Sequence, residues 1–314
     1  MKSVEEINVG IDTSKLQLDI YIRPIGEFFS VENNASGIKE ALKRIKVYTP
    51  TRIIIEATGR LELPFACAAA KAKLPIVVAN SMRVHKFIAS TGQLAKTDKL
   101  DAQMIAYYGE ALKPRLTEIK PDNIRTISDL LTRRSQLIDM RTMEKNRDGI
   151  MSKDISRSTQ RIMKQLQKEI TWVEEKLDTL IAETPDWSNT LKILLSVKGV
   201  GKVLAYTLLS DLPELGQLNR KEIASLVGLA PMNKESGAYR GKRRIRGGRA
   251  KIRTVMYMAM MSTIQSNPKF KREYQALVAK GKPKKVAIVA CMRKMITILN
   301  TMVKNGEVWD EKLA

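Results

Sequence analysis

Five short β-patterned segments between residues 7 and 78 constrain this chain more than any other feature. Ile7-Asn8-Val9-Gly10-Ile11 is rich in β-branched residues, and Leu16-Gln17-Leu18-Asp19-Ile20-Tyr21-Ile22 alternates strictly, as a half-buried strand does. Glu27-Phe28-Phe29-Ser30-Val31 suits a third strand. Arg52-Ile53-Ile54-Ile55 and Pro75-Ile76-Val77-Val78 are unbroken apolar runs, the pattern of strands covered on both faces. Helices are expected from Ser36, with Ile38, Ala41, Leu42 and Ile45 on one side, and from Pro64 to Ala72. Three hairpin strands followed by helix, strand, helix, strand predict a mixed α/β sheet with helices on both faces.

Acidic residues stand where these strands end. Asp12 follows the first and Glu56 the fourth. In Lys96-Thr97-Asp98-Lys99-Leu100-Asp101-Ala102, Thr97 suits a helix N-cap. Asp98 and Asp101, three residues apart, then share a helix face. Each acid alone has an ordinary explanation: a turn, a surface strand end, or a favourable charge at a helix N-terminus. Together they form a carboxylate set that repels itself unless a cation joins it. Oxygen-only ligands suit Mg2+ or Mn2+, and two such ions could clamp the attacking and leaving oxygens of a phosphodiester.

The next segment changes character. Ile162, Leu166, Ile170, Val173, Leu177 and Leu180 recur at steps of three and four, close to a heptad seam, and Ile124, Ile127, Leu131 and Ile138 suit a preceding helix. The pattern fits an antiparallel helical hairpin and equally a seam with another subunit. Beyond Pro185, Lys198-Gly199-Val200-Gly201-Lys202 reads as a turn between two helices. It is either a tight corner or a turn that aims backbone N–H groups at a phosphate.

Gly228-Leu229-Ala230-Pro231-Met232-Asn233-Lys234-Glu235-Ser236-Gly237 comes next, and Arg240, Lys242, Arg243, Arg244, Arg246 and Arg249 crowd in behind it. It reads as a loop that offers the Ser236 hydroxyl to a polyanion, with glycine allowing close approach and guanidiniums holding phosphates. The plainer alternative is a solvated basic loop. Helices are expected from Arg249 to Ile264, Phe270 to Ala279 and Pro283 to Val303, with Met256, Met258, Met260 and Met261 as core filler. Lys280 to Lys285 adds a second basic cluster.

Charge supports this division. Of the formal +22, residues 1–120 carry +5, residues 121–185 carry +1 and residues 186–314 carry +16. Such an excess points to nucleic acid or another polyanion, concentrated in the last third. Aromatic residues make up only 5%, so a stacking platform is not the expected binding mode. His85 is the sole histidine, which excludes a multi-histidine metal site and argues against a serine–histidine–aspartate triad. Cys67 and Cys291 sit in apolar runs and suit buried thiols of a reducing compartment. No 18-residue apolar run and no apolar leader occur, so neither a membrane partner nor export is expected, and a cytoplasmic, nucleoid-associated location is.

Along its whole length the chain resembles a DEDD-type insertion-sequence transposase of the class that includes bridge-RNA-guided DNA recombinases. The resemblance rests on Gly10-Ile11-Asp12, Glu56-Ala57-Thr58-Gly59, the 96–102 segment, Lys198-Gly199-Val200-Gly201, Gly228-Leu229-Ala230-Pro231, Ser236-Gly237, Gly247-Gly248 and Ile252-Arg253, in that order. It implies a ribonuclease H-like (RuvC-like) domain over residues 1–118, whose Asp12, Glu56, Asp98 and Asp101 bind Mg2+. It implies a coiled-coil spacer over 119–185 and a mainly helical transposase domain over 186–314 with Ser236 as nucleophile. It further implies dimers assembling to tetramers, an element-encoded bridge RNA that pairs with donor and target DNA, and a serine that meets the acidic site across subunits. Nucleic-acid contacts are expected from Lys198, Gly199, Gly201, Lys202, Arg240, Lys242, Arg243, Arg244, Arg246, Arg249 and Arg253.

A free serine is a poor nucleophile, and a metal ion held by the carboxylates would activate it. The phosphoserine ester would keep the energy of the phosphodiester for rejoining. A metal-dependent nuclease would need the acids and not Ser236, and a non-catalytic scaffold would need neither. No helix carries Arg and Asn at base-reading offsets, in keeping with sequence choice made by RNA pairing.

Overall fold

The computed structural model describes residues 6–310 except 149, 151, 234, 238 and 242. Lys242, among the expected phosphate contacts, lies outside the described residues. The chain forms two compact units, divided after Lys120.

The first unit is built on a five-stranded sheet: β1 (Asn8–Thr13), β2 (Gln17–Arg23), β3 (Glu27–Glu32), β4 (Arg52–Glu56) and β5 (Ile76–Ala79). Their order is β3-β2-β1-β4-β5. The first three pair antiparallel, and β1, β4 and β5 run parallel. All five expected strands are present, and the mixed sheet follows from their connections. Strands β1 to β3 are joined by short turns, and β4 and β5 each return through a helix. Helix α1 (Ala35–Val47) begins at Asn34, whose side chain accepts from the Gly37 N–H at 2.9 Å. It and α2 (Leu63–Lys71) bury Ile38, Ala41, Ile45, Phe65 and Ala69 against Val9, Ile11, Ile20, Ile53 and Ile55 on one sheet face. Helices α3 (Ser81–Ser90) and α4 (Asp98–Leu112) cover the other, where Val84, Ile105 and Tyr108 meet Ile54, Val77 and Ala79. The strict alternation of Ile53, Ile54 and Ile55 between these two clusters explains why β4 is apolar throughout.

In the second unit, α5 (Asp122–Asp148) and α6 (Lys153–Ala182) form an antiparallel hairpin. Arg134 pairs with Glu174 at 2.6 Å, Arg141 donates to Gln167, and Ser156 donates to Asp148 at 2.5 Å. Of the expected seam, Ile170, Val173 and Leu177 are buried, whereas Ile162 is 47% exposed. The seam thus closes within the chain over its C-terminal half.

Ile127, Leu131 and Leu177 share one core with the helices that follow: α7 (Ser188–Ser196), α8 (Lys202–Asp211), α9 (Arg220–Val227), α10 (Ala250–Ser266), α11 (Pro268–Ala279) and α12 (Lys284–Asn305). Met256 and Met260 fill that core, while Met258 is 66% exposed and Met261 38%, because a helix returns to one face only every three to four residues. Among the described residues α12 alone is long and apolar enough to cross a bilayer, with mean hydropathy 1.6. Its Ile288, Met292, Met295, Ile296 and Leu299 belong to the core.

The segment expected to be a loop is instead a nested hairpin. β6 (Pro231–Met232) pairs with β9 (Arg244–Ile245), and farther out β7 (Glu235–Ser236) pairs with β8 (Tyr239–Arg240).

Candidate active site

Side chains alternate along a strand, so Gly10 and Asp12 share one face of β1, and Ile54 and Glu56 share one face of β4. The register pairs Gly10 with Ile54 and Ile11 with Ile55. Asp12 and Glu56 therefore stand side by side, one residue beyond the last pair, on the face that α4 covers.

Helix α4 lies unusually close to that face. Its Ala102, Ala106 and Gly109 form a stripe of small residues. A Cβ built on Gly10 would lie 2.9 Å from Ala106 Cα and closer still to Ala102 O and Ala106 N, and one on Gly109 would lie 2.8 Å from Ile54 Cγ1. At Gly10 glycine is required for the two backbones to approach, and at Gly109 it leaves room for the Ile54 side chain. Thr97 caps α4 as expected, accepting from the Leu100 N–H at 3.2 Å, and Asp98 and Asp101 occupy the first turn. The positive end of the helix favours acids there.

The four acids form one electrostatic cluster. Asp12 is half-buried. Burial pushes its carboxyl above the usual range, the Thr13 N–H (2.9 Å) opposes this, and the charges of Asp101, Glu56 and Asp19 add to the rise. Burial likewise raises Asp101, with Asp98 adding and Lys96 and His85 opposing. Asp98 is exposed. All four donors are oxygens, a chemistry that fits a hard divalent cation. Among the described residues no three His, Cys, Asp or Glu side chains close into a formed ligand group.

Several neighbours of this cluster carry no motif in the sequence. Asp19, 4% exposed, sits opposite Asp12 in the β1–β2 register and accepts from Ser30 Oγ (2.5 Å) and Gln17 Nε2 (2.7 Å). Glu62, 6% exposed, accepts from the N–H groups of Thr58 (3.1 Å) and Arg60 (2.9 Å), fixing the turn that leaves Glu56. His85 is near enough to influence Asp101. Only strand register could have exposed Asp19. Glu62 and His85 give no periodic signal at all.

On the second unit, Ser236 is exposed near the outer end of the nested hairpin, paired with Tyr239. Gly237 beside it has φ +52°, and a Cβ built there would meet nothing within 4 Å. The adjacent pair Glu235–Arg240 is joined by an ion pair at 2.9 Å. Arg243, Arg244 and Arg246 are exposed and form no ion pair among the described residues. Arg249 and Arg253 are engaged internally. Arg249 grips Glu214 through both terminal nitrogens at 2.6 Å and donates to Asp211 O at 2.9 Å. Arg253 donates to Gly247 O at 2.6 Å and Val227 O at 3.3 Å, tying the hairpin to the end of α9.

The 198–201 turn divides similarly. Lys198 is exposed, and its carbonyl accepts from Asn267 Nδ2 at 3.2 Å. Gly199 (φ +101°) is pressed on α10, where a Cβ would lie 2.8 Å from Thr263 Cα. Gly201 faces open space. Lys202 pairs with Asp178 at 2.6 Å, and Tyr206 donates to the same carboxylate at 2.6 Å.

Comparison with known proteins places this arrangement in a class. A model described as a transposase, of the DEDD type, matches residues 9–148, and that of the "Transposase IS116/IS110/IS902 family" matches residues 191–275. The chain is a DNA transposase or recombinase. It is 27% identical to a pilin gene-inverting protein of Moraxella bovis over 315 residues, covering 97% of this chain and 98% of the relative. A protein of the same description from Moraxella lacunata matches to the same extent. An uncharacterized insertion element IS110 protein of Streptomyces coelicolor is 27% identical over 123 residues, 38% of this chain and 30% of that protein. With both family matches in sequence, this chain is an IS110-family transposase.

Proposed function

We propose that this transposase cuts and rejoins DNA through a covalent phosphoserine intermediate on Ser236, assisted by Mg2+ at Asp12, Glu56, Asp98 and Asp101. The observation that carries the reading is the convergence of Asp12, Glu56 and the first turn of α4 at one end of the sheet, beneath a helix held at glycine contact. The strand order β3-β2-β1-β4-β5, with its first three strands antiparallel, supports a ribonuclease H-like, RuvC-like assignment for the first unit. The relatives' description as pilin gene-inverting proteins favours an activity that rejoins strands as well as cutting them.

Each residue then has a defined task. The bound cation would lower the barrier by stabilising charge on the phosphate and on the attacking oxygen. Asp12, Glu56, Asp98 and Asp101 hold it, with Mn2+ as a substitute. Ser236 Oγ forms a bond to phosphorus, the bond from phosphorus to the leaving sugar oxygen breaks, and the serine proton leaves to restore a sugar hydroxyl. Attack on the ester by a new sugar hydroxyl reverses these bond changes with another partner strand, without ATP. Exposed Arg243, Arg244 and Arg246 grip phosphates. An element-encoded bridge RNA selects donor and target by pairing, and the protein works as a dimer assembling to a tetramer.

The test is a denaturing gel of purified protein with labelled donor and target DNA, Mg2+ and RNA transcribed from the element's flank. A covalent protein–DNA band, lost in Ser236→Ala and Asp98→Asn and dependent on the RNA, is the expected result. Cleavage that persists in Ser236→Ala would make the acids a hydrolytic centre and the protein a nuclease. Cleavage indifferent to RNA would remove the guide from the proposal.

A further inference from the structure

A cleft of about 1020 Å3 opens on the second unit between the inner strands of the serine hairpin, α9 and α12. On α12, Val286, Val289, Ala290, Arg293, Lys294 and Thr297 line it. They recur at three- and four-residue intervals and so make one helical stripe. The first turn of α9 adds Arg220 and Lys221, and the returning strand adds Arg243, Arg244 and Ile245. Leu229 and Pro231 complete the apolar part, and Lys282 and Lys285 stand at the entry to α12. Eight of the fifteen lining residues are cationic and none is acidic. Among the described residues only Lys294 of these eight has an ion-pair partner, Glu273.

Two properties of this cleft constrain its occupant. The cations come from three separate segments, α9, the serine hairpin and α12 with its entry, so one small anion would leave most of them unmatched, whereas a phosphodiester chain supplies a charge at every residue. The six apolar side chains between them need a dry surface laid over them. A duplex turns its bases inward and offers only phosphate to such a site. An unpaired strand offers both phosphates and the faces of its bases. The volume is at the upper end of the ~300–1,000 Å3 range of small-ligand sites, room for a few nucleotides. The lining holds no aromatic ring and no Asn or Gln, so neither strong stacking nor base-edge reading is built in.

We propose that this cleft holds an unpaired stretch of a nucleic acid strand without base selectivity, its phosphates on the lysines and arginines and its bases against Val286, Val289 and Ile245. The proposal rests on the recombination reading only in that strand exchange exposes unpaired nucleic acid. Binding itself does not require Ser236.

The experiment measures fluorescence anisotropy of full-length protein with labelled single-stranded DNA, single-stranded RNA and blunt duplex DNA of equal length, across a salt series. Two exposed pairs are replaced separately: Lys285→Gln with Arg293→Gln, and Arg220→Gln with Lys282→Gln. Circular dichroism and melting verify folding, and Lys39→Gln with Lys43→Gln on α1 is the charge control. Loss of two contacts should lower the single-strand slope of log K against log salt by about 1.4, or roughly 25-fold in affinity at 0.1 M relative to 1 M. Duplex affinity should change less than about threefold, Val289→Asn should weaken the single strand alone, and Ser236→Ala should bind like the parent. Whichever single strand binds more tightly identifies the source. Single-strand affinity within about threefold of the parent in both pairs overturns the proposal. An equal loss on duplex overturns it too, making the cleft a duplex-backbone contact. A failed covalent reaction with intact cleft binding would count against the serine mechanism alone.

Discussion

Replacing Gly10 by alanine tests whether the close seating of α4 on β1 positions the acidic site. The new Cβ would lie 2.9 Å from Ala106 Cα and closer to two other backbone atoms of α4, where ordinary contact begins at 3.4 Å. Backbone cannot turn aside as a side chain can, so the helix must retreat by about 1 Å. Overpacking of this kind costs ~1–3 kcal/mol. At about 4 °C per kcal/mol for a unit of this size, the first unit should melt ~4–12 °C lower. The same displacement carries Asp98 and Asp101 away from Asp12 and Glu56, and misplacement by ~1 Å can cost ~100-fold in rate. Calorimetry on the full chain, paired with Mg2+-dependent strand cleavage, reads both effects. Ala106→Gly should not rescue the variant, because the obstructing atoms belong to the backbone. A Gly10→Ala protein that melts within ~1 °C of the parent and cleaves at the parental rate would refute the reasoning.

Asp12 holds its proton more tightly in the folded state than in the unfolded one. Its contribution to stability is therefore present below the unfolded value and lost as pH rises through the folded one, leaving a net cost at neutral pH. In chelator at pH 7, Asp12→Asn should raise the melting temperature, and with Mg2+ supplied it should fail to cleave where the parent does; a lower melting temperature would contradict the assigned strain. Gly199→Ala should destabilise the second unit by ~1–3 kcal/mol, since its φ is positive and Thr263 blocks the added carbon. Gly201→Ala, in open space at φ −89°, should change stability by less than ~0.5 kcal/mol, and urea melts distinguish the two. Arg249→Gln should lower stability by ~1–2 kcal/mol by breaking its paired bonds to Glu214. Arg246→Gln should leave melting unchanged and reduce the salt slope of duplex binding by ~0.9.

Local pattern made much of the architecture readable. Each strand of the first unit announces itself in four to seven residues, and α4 carries its own start signal in Thr97. The acids were legible because they stand at strand ends or in the first turn of a helix, positions that pattern alone can locate. Asp19 was not, because its place beside Asp12 depends on how β1 and β2 pair across a turn. Glu62 was not, because its bonds to Thr58 and Arg60 belong to an irregular turn without a period, and His85 was not, because its influence on Asp101 joins two separate helices. By pattern alone the basic stretch around Ser236 reads as a loop. Its strands are two residues long, too short for any alternation, and pairing across the hairpin alone defines them.

The sequence by itself determined the order of elements, the charge asymmetry and which acids stand at strand ends and a helix start, since each depends on neighbours along the chain. Tertiary structure decided which identical-looking residues do different work. Gly199 is pressed against Thr263 while Gly201 faces open space. Arg249 and Arg253 hold the fold together while Arg243, Arg244 and Arg246 remain exposed to solvent. It also gathered cations from α9, the serine hairpin and α12 into one cleft. The physical reason is that a side chain's task is set by what lies within a few ångströms of it, and in a folded chain most of those atoms come from elsewhere in the sequence.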